Sequence, residues 1–151
     1  MNYGAILKEI RTYDLITQEQ IAKVLGISRK TYGLYEINFR ILPLKHLNAF
    51  CNYFSISLDY FFGFTSNKNY KKPKDNIDYK LISIRLKEFR KENKMTQEEL
   101  VEKLNFERST FSKYENFKNK INTEFLYCFC KKYNISADYL LGKIDNPKYL
   151  K

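Results

Sequence analysis

The chain has 151 residues and a formal net charge of +10, from 27 Lys and Arg against 17 Asp and Glu. It contains no run of about 20 apolar residues, which excludes a membrane-spanning helix, and Met1-Asn2-Tyr3-Gly4 lacks both the basic-then-apolar start of a secretion signal and the glycine at position 2 that N-myristoylation requires. Three cysteines, an odd number in a chain expected to remain cytoplasmic, argue against a disulfide framework, and the basic excess favours a polyanion such as nucleic acid or an anionic surface.

In chain order, a first helix is predicted over about Ala5–Tyr13. Thr17 and Gln20 form a capping box that opens helix two. Ile21, Val24 and Leu25 follow at helical spacing for a buried stripe. Gly26 stops the helix, because glycine takes a left-handed backbone without a Cβ penalty. Ser28 caps helix three, which runs to about Glu36 or Ile37. Pro43 opens helix four through its fixed φ, with Leu47, Phe50, Cys51 and Phe54 on one face. Ser57 caps a short helix five, with Asp59 in its first turn and Gly63 at its end.

Residues 65–80 then carry five lysines against two aspartates and no sustained apolar period. They read as a mostly flexible linker, with a maximal reach of about 56 Å and a coil-like span of about 23 Å. Beyond it the first unit returns at a constant offset of 79 residues without a gap. Leu7-Lys8-Glu9 recurs as Leu86-Lys87-Glu88, Thr17-Gln18-Glu19 as Thr96-Gln97-Glu98, and Tyr35-Glu36 as Tyr114-Glu115. Phe50-Cys51 recurs as Phe129-Cys130, and Ile56-Ser57-x-Asp59-Tyr60 as Ile135-Ser136-x-Asp138-Tyr139. A fixed offset means one structural unit used twice. In the second copy Thr96 and Glu99 form the capping box and Leu100 and Leu104 continue the stripe. Asn105 replaces Gly26, Glu107 replaces Ser28, and Asn122 or Thr123 caps helix four. The expected organisation is a domain over 1–64, a lysine-rich linker over 65–80, a second domain over 81–143 and a tail over 144–151. Units of this size bury about 60% of their unfolded surface, and 13 Tyr and 12 Phe supply large core side chains.

Helix two, a tight turn and helix three form the unit that places a helix in the DNA major groove. The pattern Thr17-Gln18-Glu19-Gln20-Ile21-Ala22-x-x-Leu25-Gly26-Ile27-Ser28-Arg29-x-Thr31-Tyr32-x-x-Tyr35-Glu36 resembles the lambda-repressor-like, or Cro/XRE, helix-turn-helix family. Thr96-Gln97-Glu98-Glu99-Leu100 through Glu115 resembles it again. The resemblance covers about residues 5–63 and 84–142. It implies an all-α fold of two tandem five-helix domains joined by the flexible linker.

The resemblance also implies roles. Residues at and after the start of helix three face base edges: Arg29, Lys30, Thr31, Gly33 and Leu34, and Arg108, Ser109, Thr110, Ser112 and Lys113. Arginine suits the paired acceptors of guanine, which makes Arg29 and Arg108 the leading base readers. Thr17-Gln18 and Thr96-Gln97 open helix two, where the glutamine hydrogen-bonds a phosphate. Asn38 and Arg40 are expected to touch the DNA backbone, with Lys118 and Asn119 as rough counterparts. This loop departs from the family, which commonly has a glycine and a basic residue after the glutamate. Arg11 with Glu36, and Arg90 with Glu115, match an internal salt bridge. Tyr32, Tyr35, Phe111 and Tyr114 read as core residues rather than stacking platforms.

Catalysis finds little support. His46 is the only histidine and falls on the predicted exposed side of helix four. There is no glycine-rich phosphate loop and no Cys/His or carboxylate cluster with a useful spacing. On a helix Cys128 and Cys130 point about 200° apart and cannot chelate one ion, so no metal, cofactor or small-molecule effector is expected. The sequence therefore reads as a DNA-binding transcriptional regulator, in the main a repressor, with double-stranded DNA as partner and no membrane partner. A homodimer with four reading units is compatible with it. Two other readings stand beside it. One is an antitoxin-like module, in which one unit binds DNA and the other binds a protein or self-associates, helped by the aromatic tail over 147–151 and the more acidic helix-two surface of the second copy. The other is a charge-driven, nonspecific binder of nucleic acid or anionic membrane.

Overall fold

Side-chain caps set where the helices begin. Residues 1–148 are described by the computed structural model, in ten helices and no strand. The first unit comprises α1 (Tyr3–Tyr13), α2 (Gln18–Leu25), α3 (Arg29–Glu36), α4 (Leu44–Tyr53) and α5 (Leu58–Phe61). The second comprises α6 (Tyr79–Glu92), α7 (Gln97–Glu102), α8 (Arg108–Glu115), α9 (Thr123–Tyr133) and α10 (Ala137–Leu140). Thr17 Oγ1 accepts from the Gln20 amide at 3.1 Å and Gln20 Oε1 from the Thr17 amide at 2.8 Å, which completes the predicted capping box. Ser28, Asn122, Ser57 and Ser136 each accept from an amide of the first turn they precede. Glu107 makes no such bond. Pro43 stands just before α4 rather than inside it.

The turns meet the backbone demand read from the sequence. Gly26 has φ +69° and Asn105 has φ +57°, the left-handed conformation at the same place in both units. The second-unit helix is shorter, ending at Glu102 where α2 reaches Leu25.

Each core is built from equivalent positions. Leu7, Ile21, Tyr32, Leu47 and Phe50 are fully buried, and so are Leu86, Leu100, Phe111, Leu126 and Phe129, 79 residues on. Burying each such side chain contributes about 1.5–3 kcal/mol. Val24 does not join the predicted stripe and is 44% exposed. It flanks the buried arc on the solvent side, where the second unit carries the exposed Lys103. His46 is likewise not on an open face: it is half-buried, and its Nδ1 is shielded with no hydrogen-bond partner among the described residues.

The two units pack on each other. The Asp59 carboxylate accepts from the Ala137 amide at 2.7 Å and from the Ser136 hydroxyl. The Asp138 carboxylate accepts from the Leu58 and Asp59 amides at 3.1 and 2.8 Å. Phe64 stacks on Tyr127 with centroids 5.8 Å apart and planes at 8°. Buried Lys143 donates to Asn48 Oδ1 at 2.7 Å and Asn52 Oδ1 at 2.9 Å. Thr123 donates to the Leu42 carbonyl at 2.8 Å, where the segments leaving α3 and α8 meet.

The connecting segment has no helix before Tyr79, yet it is tied down along its length. The Lys68 carbonyl accepts from the Ser57 amide at 2.7 Å, and Tyr70 donates its hydroxyl to Asp59 at 2.5 Å. Both Asn48 and Asn52 donate to the Asp75 carbonyl at 2.9 Å. Lys74 and Asp78 amides donate to the Lys143 and Leu141 carbonyls, each at 2.9 Å. Of the tail over 144–151, positions 149–151 lie outside the described residues.

Candidate nucleic-acid interface

The capped, tightly turned pair α2–α3 presents the N-terminal half of α3 outward, and α7–α8 does the same for α8. Arg29 and Lys30 are exposed, while Thr31, Gly33 and Leu34 are half-buried beside them. Thr31 is held by its cap: its amide donates to Ser28 Oγ at 3.1 Å, and its hydroxyl accepts from Ser28 at 2.9 Å. In the second unit Arg108, Ser109 and Lys113 are exposed and Thr110 and Ser112 half-buried. Arg108, Ser109, Ser112, Lys113, Asn116 and Lys118 surround a shallow depression of about 350 Å³. Three cations and three neutral polar side chains around one concavity suit an anionic ligand.

The orientation of α3 is set from below by a buried ion pair. Arg11 Nε and Nη2 donate to the two Glu36 oxygens at 2.5 and 3.1 Å, and Nη1 donates to the Ile16 carbonyl at 2.7 Å. Arg90 repeats this on Glu115, with 2.8 Å to each oxygen and 3.0 Å to the Met95 carbonyl. Such two-pronged pairing fixes angle as well as distance. Burial works against the Glu36 charge, but the hydrogen bonds from Arg11 and Gln18 outweigh it and hold the carboxyl below its ordinary pKa. Its bond to Glu36, set against burial, raises the Arg11 pKa further.

Gln18 belongs to this network, because its Nε2 donates to Glu36 at 2.9 Å. Gln97 reaches Glu115 only at 3.5 Å. The residue expected to meet phosphate is thus positioned by the same carboxylate that orients α3. Thr17 and Thr96 are exposed at the helix starts.

Asn38, expected at the DNA backbone, has its side chain engaged within the protein. It adopts φ +58° and, while exposed, engages α1 with its side chain, accepting from the Gly4 amide at 2.9 Å and donating to Asn2 at 2.7 Å. It closes the first turn of α1 onto the end of α3. Arg40 remains exposed, beside Ile37 and Phe39, which are 70% and 71% exposed. Tyr32, Tyr35, Phe111 and Tyr114 are all buried, as expected of core residues.

Burial raises the Cys51 and Cys130 thiol pKa values, so both stay protonated. Among the described residues no three His, Cys, Asp or Glu side chains stand close enough to hold a metal ion, and no helix is long and apolar enough to cross a membrane. Local reading missed the residues that join the units: Asn48, Asp59, Phe64, Tyr70, Asp138 and Lys143. The available signal was the recurrence of an aspartate at one position of a short apolar helix.

Comparison with known proteins matches a family within each unit. Residues 7–61 match the family described as "Helix-turn-helix", and residues 84–146 match the "Helix-turn-helix domain" family. The chain is similar to the uncharacterized HTH-type transcriptional regulator YobD of Bacillus subtilis (strain 168), with 36% identity over 75 residues, 50% of this chain and 67% of that protein. It is also similar to the HTH-type transcriptional regulator ImmR of the same organism, 44% identical over 64 residues, 42% of this chain and 50% of that protein. A third relative there is the SPbeta prophage-derived uncharacterized HTH-type transcriptional regulator YonR, 38% identical over 58 residues, 38% of this chain and 54% of that protein. The chain thus spans from half to two thirds of these relatives' lengths. No solved structure matches significantly. Two helix-turn-helix units, two family matches and these relatives together make the chain a tandem helix-turn-helix protein of the lambda-repressor-like, Cro/XRE type.

Proposed function

We propose that the protein is a sequence-specific, double-stranded-DNA-binding transcriptional regulator that inserts α3 and α8 into the major groove of a bipartite site and represses by occluding a promoter. The observation that carries this is the pair of outward helix faces, Arg29-Lys30-Thr31 and Arg108-Ser109-Thr110, each held by a buried Arg–Glu fork. Arginine near the start of a groove-facing helix matches the acceptor pair on guanine. The relatives named as transcriptional regulators support the regulatory role.

Selection from a random duplex library at physiological salt tests this. A specific reader enriches a motif and keeps a large affinity ratio over random DNA at fixed salt. Binding with no enriched motif and a steep salt dependence would replace this reading with a charge-driven one.

A further inference from the structure

The junction between the units repeats itself with the units exchanged. Asp59 accepts from Ala137 N–H, and Asp138 accepts from Leu58 N–H. Adding the 79-residue offset to one bond, and exchanging units, gives the other. Phe64 of the first unit stacks on Tyr127 of the second. Lys143, the equivalent of Phe64, bonds Asn48, the equivalent of Tyr127. The segments leaving α3 and α8 line one cleft of about 380 Å³ together, through Leu42 and Leu44 on one side and Ile121 and Thr123 on the other. A head-to-tail arrangement brings different patches of two equal units together, so its contacts do not recur on exchange. Only a two-fold relation makes contact i–j imply contact j–i.

From this, and resting on the DNA-reading role proposed above, we infer that one chain is a self-contained, two-fold-like pair that reads an inverted repeat of two unlike half-sites. A two-fold sets equivalent parts at equal height along its axis. The segments that follow α3 and α8 meet across it, so both helices stand at equal height along the axis, with their directions opposed across it. That matches two half-sites in inverted orientation. The half-sites share the base read by Arg29 and Arg108 and the neighbour of Thr31 and Thr110. They differ where Lys30, Gly33 and Leu34 are replaced by Ser109, Ser112 and Lys113. Leu34 offers a thymine methyl an apolar contact, whereas Lys113 offers acceptors a charge.

The junction is also keyed to this unequal pairing. Two first units would set both Phe64 rings against the Asn48 and Asn52 amides. Two second units would set buried Lys143 against Tyr127 and against Lys131, the equivalent of Asn52, so that a second cation replaces one of the two carboxamide oxygens that hold the ammonium. An unpaired buried charge is costly. The connecting segment closes the favoured arrangement within one chain, since Asp75 lies on Asn48 and Asn52, and Lys74 on Lys143. A homodimer is therefore not needed to present two reading helices.

The test uses the intact protein. Sites selected from a random library are read for orientation and spacing, and the complex with the best duplex is weighed by native mass spectrometry. The expected result is one chain per duplex on an inverted pair of unlike half-sites at one spacing. Inserting about five base pairs between them, half a helical turn, should lower affinity at least about tenfold. A direct repeat, identical half-sites bound by two chains, or a spacing series tolerated without loss would overturn the inference while leaving specific DNA reading intact. Absence of any enriched motif would remove the DNA-reading role itself, and the inference with it.

Discussion

Asp59 and Asp138 hold the same position in the two units, and each caps the short helix of the other. Each carboxylate accepts from the short helix of the other unit: the Leu58 and Asp59 amides of α5 are satisfied by Asp138, and the Ala137 amide of α10 by Asp59. Orphan amides at a helix start require acceptors, and here the acceptors come from about 80 residues away in sequence. Docking of the units therefore completes the hydrogen bonding of both short helices.

The same relationship makes the junction sensitive to pH. Burial and the Asp59 charge push the Asp138 pKa from 3.8 to about 7. A carboxyl raised in the folded state contributes stability that is fully present below its unfolded value and lost as pH rises through about 7. Thermal unfolding should show this contribution to Tm falling from about pH 4 to about pH 7, with little further change above that. Tyr70 and Ser136 also face the pair, and Lys143 lies near Asp138. His46 acts oppositely: burial and Lys45 lower its pKa from 6.5, so it costs stability as pH falls. In Asp138→Asn the fall between those pH values should flatten and Tm should drop throughout, because the Leu58 and Asp59 amides are held by different carboxylate oxygens and the variant turns an NH2 donor to one of them. A variant that keeps the full wild-type slope would assign the titration elsewhere.

Gly4 marks the closest approach of α1 to α3. A Cβ there would lie 2.3 Å from the Glu36 carbonyl oxygen and 2.6 Å from that of Tyr35, both backbone atoms. Gly4→Ala should therefore shift α1 off the end of α3 and destabilise the first unit by about 3 kcal/mol, the upper part of the usual overpacking range. Denaturant unfolding would show a lower midpoint, and the Arg11–Glu36 fork would be disturbed with it. The second unit has Ser83 at this position, whose hydroxyl donates to the Tyr114 carbonyl at 2.6 Å, so Ser83→Ala should cost only about 1 kcal/mol. Equal effects of the two changes would refute the packing argument.

What could be read from the sequence was what is local. Thr17, Ser28 and Ser57 cap helices within three residues of themselves, and Gly26 and Asn105 betray one left-handed turn by meeting it with different residues. The Arg11–Glu36 fork was accessible only through the family resemblance. The junction was not legible, for physical reasons. Asp59 in a first turn already has a sufficient local explanation. Phe64 and Lys143 differ so much in chemistry that the repeat hides their equivalence. A polar, lysine-rich connection gives no sign that its carbonyls are held by Asn48 and Asn52. Val24 was misread because periodicity alone places it near the stripe, although Lys103 in the second copy marks that position as solvent-facing.

Gly33 carries a different message from Gly4. A Cβ at Gly33 would meet only Gln18 Oε1, at an ordinary 3.6 Å, so nothing within the protein demands glycine inside α3. Glycine in a helix interior costs about 0.5–1 kcal/mol relative to alanine. Gly33→Ala should therefore raise stability by about that amount. Specific DNA affinity should fall if close approach of the duplex is what needs the missing side chain. Paired thermal melts and binding isotherms separate the two effects. Higher stability with unchanged affinity would remove Gly33 from the interface.

Arg29→Ala and Arg108→Ala should each relax base preference in one half-site and leave the other unchanged. Losing a two-pronged guanine contact costs about 1–3 kcal/mol of discrimination. The Arg11–Glu36 and Arg90–Glu115 forks lie beneath α3 and α8 and include neither side chain, so folding should be unaffected. Gln18→Ala should behave differently, weakening binding to all sequences about equally, because a phosphate contact carries no base information. It also removes a bond to Glu36, so its Tm must be compared as well. Selection with each variant reads these outcomes directly. If both arginine variants returned the wild-type motif at wild-type affinity, base reading would have to lie in the residues where the units differ, Lys30, Gly33 and Leu34 against Ser109, Ser112 and Lys113, rather than in the arginine they share.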